Sequence, residues 1–527
     1  MFRHVIRGHT FLTAPALGSS QRMELTLQSI AEGRDEAVVA GAEMAASVRW
    51  ALVSLSLSML LSSLGTSIAN VALPTLAETF AASFQEVQWV VLAYLLAVTT
   101  LIVSAGRLGD MSGRRRLLLA GLVLFTVASV LCGAAPTLWL LVVARAAQGL
   151  GAAVMMALTM AFVGETVPKE KTGRAMGLLG TMSAIGTALG PSLGGILIAG
   201  LGWRWIFMIN LPLGLLTFLL AYRYLPVDRR TPKADQAGFD SVGTVLLALI
   251  LAAYALAMTV GRGSFGPLNM ALLLAASIGV GLFVLTERKV ASPLIRLQMF
   301  RDPVLSASLA TSVLVATVMM ATLVVGPFYL SRALGLDAAL VGLVVSVGPL
   351  VVAITGVPAG RMTDRFGAQR MTVVGLIGIA AGSFILSVMP AAFGIPGYIG
   401  PLVVITAGYA LFQTANNTDV MADVARDQRG VISGMLNLSR NLGLITGASA
   451  MGAVFALASG AANITMAPPE AVAIGMRTTF ALAAALIVVA LLVAIGSRAI
   501  AGRSSLTPSA GRRAGADRGD RGRAPSR

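Results

Sequence analysis

Two apolar stretches of this chain carry charge and amides where hydrocarbon is the rule. In the first, Arg145-Ala146-Ala147-Gln148-Gly149, the arginine, glutamine and glycine share one helical face. An arginine near mid-membrane costs about 2.5–3.5 kcal/mol on insertion scales, so it faces a wet cavity or a partner. Backbone carbonyls are the competing partners, and they would make Arg145 purely structural. The second stretch closes one apolar run with Gln413, Asn416 and Asn417 and places Asn437 and Arg440 in the next. Amides facing lipid would go unsatisfied. They therefore line a polar lumen, with Arg440 as a second cavity charge opposite the Arg145 half, or they glue helices together. This is chemistry for holding a polar group, not for breaking bonds.

Bond-making chemistry lacks its usual side chains. The two histidines, His4 and His9, lie in the N-terminal tail, and the single Cys132 sits inside an apolar run, where it reads as a packing residue. No nucleophile with a base and no metal cluster can be assembled at membrane depth, so no metal site and no cofactor is expected. No G-x-x-x-x-G-K-[ST] phosphate loop occurs, which removes ATP as a partner. The net charge of +16, carried by 35 Arg and 4 Lys, would suggest nucleic acid. The charges fall in short loops between apolar runs, so nucleic acid is not expected either.

Apolar runs of about twenty residues must position these groups. Hydrophobic residues make up 56% of the chain and charged residues 12%, against roughly 25% charged in a soluble domain. The runs predict fourteen membrane helices, near 50–73, 87–106, 117–134, 138–163, 174–200, 205–224, 241–260, 267–285, 304–330, 338–359, 371–389, 398–417, 431–456 and 476–496. An even count puts both termini on one side. With the termini inside, 33 of the 39 Lys and Arg fall in inner loops and tails, which makes that side cytoplasmic. Residues 1–49 lack a secretory signal and are expected to be a disordered cytoplasmic tail, with Met44 as a candidate start. Residues 497–527 are expected to be a second, basic and disordered tail.

The chain also repeats itself. The loop Gly106-Arg107-Leu108-Gly109-Asp110-Met111-Ser112-Gly113-Arg114-Arg115-Arg116 returns 254 residues later as Gly360-Arg361-Met362-Thr363-Asp364-Arg365-Phe366-Gly367-Ala368-Gln369-Arg370. Residues 81–110 align without gaps to 335–364. Duplicated six-helix halves, 50–225 and 304–496, account for twelve spans. The other two, within 241–285 of a linker 226–303, form a hairpin between the halves. Halves that repeat a charged turn at matching depth read as an alternating-access transporter, with the substrate held between them.

On these motifs the chain resembles the major facilitator superfamily, and within it the fourteen-span drug:proton antiporters. The resemblance runs from about Leu52 to Val493. It implies an all-α membrane fold of two pseudo-symmetric six-helix bundles plus two extra central helices. It assigns Gly106, Gly109, Asp110, Gly113 and Arg114, with the weaker copy Asp364 and Arg370, to a latch that holds the halves together on the inner side. It assigns Arg145 to proton coupling. Gly186, Gly190, Pro191, Gly194 and Gly195 resemble the antiporter signature of the family's exporters, and their four-residue glycine spacing makes a bare stripe for close helix contact. Asn70, Gln148, Gln413, Asn416, Asn417 and Asn437 are the expected substrate-cavity residues, alongside Arg440.

One departure bears on mechanism. Relatives often carry an aspartate where this chain has Gly65, and none of its 23 Asp and Glu falls convincingly at a span centre. The group that takes up a proton is left open. A cavity with two arginines and no central carboxylate should disfavour lipophilic cations and prefer neutral or weakly acidic amphipaths. The expected function is proton-driven export of small amphipathic compounds across the cell membrane, with lipid, substrate and protons as partners and a monomer as the working state. A dedicated transporter of one metabolite is the alternative, with a membrane receptor or enzyme well behind. If Asp110 belongs to a latch, Asp110→Asn should lower turnover and leave membrane insertion intact; wild-type flux in that variant would remove Asp110 from the mechanism.

Overall fold

The computed structural model describes residues 19–166, 172–228, 240–260, 266–290, 294, 299–300, 302–422, 429–460 and 467–505. These residues hold fourteen helices long and apolar enough to cross a membrane, the number expected. In chain order they are α1 Ser19–Thr79, α2 Phe84–Ser112, α3 Arg114–Ala134, α4 Leu138–Thr166, α5 Thr172–Leu201 and α6 Trp205–Tyr224. Two further helices, α7 Ser241–Thr259 and α8 Pro267–Glu287, precede α9 Pro303–Ala333, α10 Ala338–Phe366, α11 Ala368–Val388 and α12 Gly394–Ala422. The last two are α13, Arg429–Thr446 continued by Gly447–Met451 and Gly452–Ala458, and α14 Pro469–Ser505. An even number of crossings puts the start of α1 and the end of α14 on one face, here the terminal face; the opposite one is the far face.

The main departure from expectation is at the N-terminus. Residues 19–49, expected to be disordered, are helical and run unbroken into the first span, whose apolar part is Val48–Thr79. The segment is rich in Ala, Leu, Glu, Gln and Arg, all strong helix formers, and contains no proline. Residues 1–18 and 506–527, part of the two expected tails, lie outside the described residues.

Acidic residues that do not reach mid-span have a visible use at helix ends. Ser83 and Glu86 cap α2 reciprocally, with the Ser83 N–H donating to Glu86 Oε2 at 2.7 Å. Asp337, the residue 254 positions after Ser83, caps α10 by accepting from the Leu340 N–H at 2.8 Å. Asp240 and Asp302 cap α7 and α9 in the same way. Carboxylates at these positions satisfy backbone N–H groups that lipid could not.

The repeat is visible in the backbone. Gly113 and Gly367, 254 residues apart, join α2 to α3 and α10 to α11 at φ of 99° and 88°, a left-handed geometry that favours glycine. Gly121 of α3 and Gly375 of α11, again 254 apart, let the next helix pack backbone to backbone. A Cβ at Gly375 would lie 2.6 Å from the Phe412 nitrogen and 2.8 Å from the Gly408 oxygen, and one at Gly121 would lie 2.6 Å from Val154. The extra pair sits against the first half, where Trp89 Nε1 donates to Thr259 Oγ1 at 3.2 Å and Ser104 Oγ meets Thr244 Oγ1 at 2.9 Å. Helix α7 also touches the Gly447–Met451 turn of the second half, so it bridges the two.

Gly375→Ala and Gly121→Ala should each destabilise the protein by about 1–3 kcal/mol through overpacking. Gly281→Ala, on α8 with open space around it, should be neutral. Thermal unfolding midpoints in one detergent test the contrast.

Candidate functional site

The two embedded arginines have opposite surroundings. Arg145 is fully buried inside the first half. Its Nε donates to the Val90 carbonyl of α2 at 2.8 Å, one terminal nitrogen to the Gly65 carbonyl of α1 at 3.0 Å, and the other to Gln148 Oε1 at 2.5 Å. Gln148 passes the chain on, donating to Ser129 Oγ of α3 at 2.7 Å. The guanidinium lies 4.3 Å from the centroid of the Tyr94 ring, and Tyr94 in turn donates to the Ser62 carbonyl at 2.8 Å. Of the two surroundings expected for Arg145, a wet cavity or a partner, the structure shows partners, in a buried socket that ties α1, α2, α3 and α4 together. A face periodicity tells which residues share a side of a helix, not which neighbour that side meets.

Gly65 gains a role from this socket. A Cβ there would lie 3.2 Å from the Tyr94 hydroxyl and 3.3 Å from the Phe125 ring. The residue offers its carbonyl to Arg145 at the place where the resemblance leads one to expect a carboxylate.

Asn70 is likewise buried on α1, donating to the carbonyls of Thr66 and Ser67 at 3.2 Å. Neither Asn70 nor Gln148 lines the pocket described next.

The remaining predicted cavity residues do converge. Gln413, Asn416, Asn417, Asn437 and Arg440 line one cavity of about 150 Å³ between α9, α12 and α13, with Ser312 at its edge. Asn416 Nδ2 donates to Ser312 Oγ at 3.1 Å, and Tyr409, Phe412, Val315 and Leu436 supply an apolar wall. From the helix rise, Ser312 and Arg440 sit roughly 15 Å from the ends of α9 and α13 on the terminal face. The pocket thus belongs to the terminal-face half of the bilayer.

The far face is closed. Hydrogen bonds between the two six-helix halves lie there. Arg332 pairs with Glu78, and Gln88 Nε2 donates to the Ala448 carbonyl at 2.8 Å. Phe84 packs edge-on against Phe328 and Phe455 of the other half at 4.7 and 5.3 Å. Glu78 and Arg332 are themselves 254 residues apart, so repeat-equivalent positions meet with opposite charge.

The glycine helix α5 contributes on two sides. Gly186, Gly190 and Gly194 pack on α1, where a Cβ at Gly186 would come within 2.6 Å of the Leu60 carbonyl and one at Gly190 would collide with Ser67. Gly195 and the Pro191 carbonyl face Gly342 of α10 in the other half; a Cβ at Gly195 would lie 3.0 Å from the Gly342 Cα. The expected stripe exists, and its neighbouring glycine reaches across the interface.

The charged turn is anchored within its own half. Asp228, which sequence reasoning missed, accepts from the backbone N–H groups of Arg115 at 2.8 Å and Arg116 at 3.3 Å at the start of α3. Gly113 has no Cβ because the Asp228 carboxylate occupies that space. Arg115 donates to the Tyr222 carbonyl and lies over its ring. A carboxylate on a helix N-terminus is favoured by the exposed N–H groups there, but no local spacing links position 228 to 115. Gly109 packs against Leu158 of α4, Gly106 has open space, and Arg114 is engaged. Asp364 and Arg370 of the second copy are exposed. The Asp110 side chain lies outside the described residues.

Fourteen apolar helices in two repeat-related bundles, with a polar pocket toward one face and closure at the other, define a membrane transporter and not an enzyme. Residues 55–448 match the Major Facilitator Superfamily, and the chain belongs to that family. It is 33% identical over 408 residues to the multidrug resistance protein Stp of Mycobacterium tuberculosis, covering 77% of this chain and 75% of that one. It is 30% identical over 407 residues to the riboflavin transporter RibZ of Clostridioides difficile, covering 77% and 88%. The fold resembles a bacterial homologue of the human lysosomal transporter Spinster, with a TM-score of 0.63, 16% identity and coverage of 86% and 98%.

Arg145→Lys keeps the charge but cannot reach three acceptors on three directions at once. It should lower the thermal midpoint as much as Arg145→Gln does, because buried carbonyls lose their donors in both. A lysine variant as stable as wild type would show that these three bonds do not hold the half together.

Proposed function

We propose that this transporter exports small amphipathic compounds from the cytoplasm by alternating access, driven by the proton gradient. Its place is the plasma membrane, with both termini cytoplasmic, as the distribution of Lys and Arg supports. The observation that carries the reading is the pocket of amides and Arg440 toward the terminal face, opposite a sealed far face. In the proposed topology this is a cytoplasm-facing state that collects substrate. Closure of the inner side and opening of the far side would release it. One charge moving through 100 mV supplies about 2.3 kcal/mol, enough for modest accumulation.

Export is supported by the α5 signature, Gly186, Gly190, Pro191, Gly194 and Gly195, and by the name of Stp. The loop of Gly106, Gly109, Asp110, Gly113 and Arg114, with Asp364 and Arg370, is the proposed inner latch. Next to these residues, Arg115 bonds to Asp228 and Tyr222 of its own half. A dedicated transporter of one metabolite is the second reading, favoured by the name of RibZ.

The test is flux in proteoliposomes under an imposed pH gradient, with cationic, neutral and acidic compounds and an uncoupler. Gradient-dependent movement of several neutral or weakly acidic amphipaths is expected. Flux indifferent to the uncoupler removes proton coupling, movement of a single compound favours the dedicated transporter, and avid ethidium transport without any handling of weak acids removes the substrate class.

A further inference from the structure

The sequence places two arginines at membrane depth, and the structure separates them into different kinds of group. Arg145 donates to Val90, Gly65 and Gln148, is fully buried and does not line the pocket. Arg440 is exposed and forms part of a pocket wall. Among the described residues that line that pocket there is no carboxylate. Among the described residues no acidic side chain pairs with Arg440. Asp419, the nearest acid along α12, is not among the lining residues and is already engaged.

An unpaired guanidinium inside a membrane span is costly unless water or an anion completes it. Its planar fork matches a carboxylate in a bidentate grip. Beside it, Gln413 and Asn417 bring amides that donate to oxygen. The volume, about 150 Å³, is below the roughly 300–1,000 Å³ of pockets that enclose whole drug-sized ligands. It suits a head group, with Phe412 and Tyr409 against the adjoining ring or chain.

We propose that Arg440 and the surrounding amides form a seat for the carboxylate of an amphipathic organic acid, which makes Arg440, and not Arg145, the residue that selects substrate by charge. This deepens the transport reading and rests on it: the seat is the first docking point of an acid that enters from the terminal face. Arg145 takes no part in recognition.

The test uses three probes with one body: 1-naphthoate, 1-naphthamide and 1-naphthylmethylamine, titrated calorimetrically against the purified full chain in lipid nanodiscs. Naphthoate should bind about tenfold or more tighter than naphthamide, with the amine weakest, and added salt should weaken naphthoate alone. Arg440→Gln should bring naphthoate to the level of naphthamide and change naphthamide binding less than about twofold. Arg440→Lys, which keeps charge and loses the fork, should fall between. Arg440 is exposed, so these variants should unfold like wild type. Equal binding of the acid and the amide by wild type, an acid preference that survives Arg440→Gln, or failure of all three probes to bind each overturns the seat.

Counterflow of the same probes in proteoliposomes keeps the two readings apart. Movement of naphthamide or the amine without favour for the acid removes the seat and leaves transport. Acid-selective binding without gradient-driven movement leaves the seat and removes proton-driven export.

Discussion

A guanidinium in hydrocarbon must be met on every side, and that requirement organises the first half of this protein. Arg145 takes the Val90 carbonyl from α2, the Gly65 carbonyl from α1 and Gln148 from its own helix, which reaches Ser129 on α3. Four helices are thereby fixed around one side chain. The Tyr94 ring and the absent side chain of Gly65 leave room for this socket. Around it, glycines allow the close packing that lipid-exposed bundles need in place of a hydrophobic driving force. The stripe of α5 lies on α1, Gly149 lies against Tyr94, and Gly151 lies against Gly121.

The second half is built on the same backbone plan and spends its polar groups differently. Helix turns at Gly113 and Gly367 and caps at Ser83 and Asp337 keep the repeat's geometry. In place of a closed arginine socket, α9, α12 and α13 carry amides and Arg440 that face a cavity. One half is pinned shut internally and the other holds the open polar surface. The far-face contacts of Phe84, Gln88 and Glu78 then join a stiff partner to a receptive one.

Much of this was legible in the residues, for physical reasons. Span number follows from apolar length against bilayer thickness, and all fourteen expected spans are present. Acid placement was legible as depth, since Glu86, Asp240, Asp302 and Asp337 fall where helix ends need acceptors. The amides Gln413, Asn416, Asn417 and Asn437 converge because two neighbouring helices each carry a polar face at matching height. What sequence could not give was rotation about the helix axis and contact over long separations. Arg145 and Arg440 are the same residue type within apolar spans, and only the neighbouring helices decide that one is sealed and one is open. The Asp228 cap on α3 joins positions more than a hundred residues apart. The helix from Ser19 to the first span was hidden because charged, alanine-rich segments read alike as tails and as helices.

The clasp of Glu78 on Arg332 carries a consequence of symmetry. A residue on a two-fold axis meets its own counterpart, so two identical halves could place only like with like there, acid facing acid or base facing base. Opposite signs at equivalent positions therefore exist only because the halves are no longer copies. Neither half duplicated in tandem could reproduce this closure, and the asymmetry that permits it also gives the molecule a left and a right that are not interchangeable.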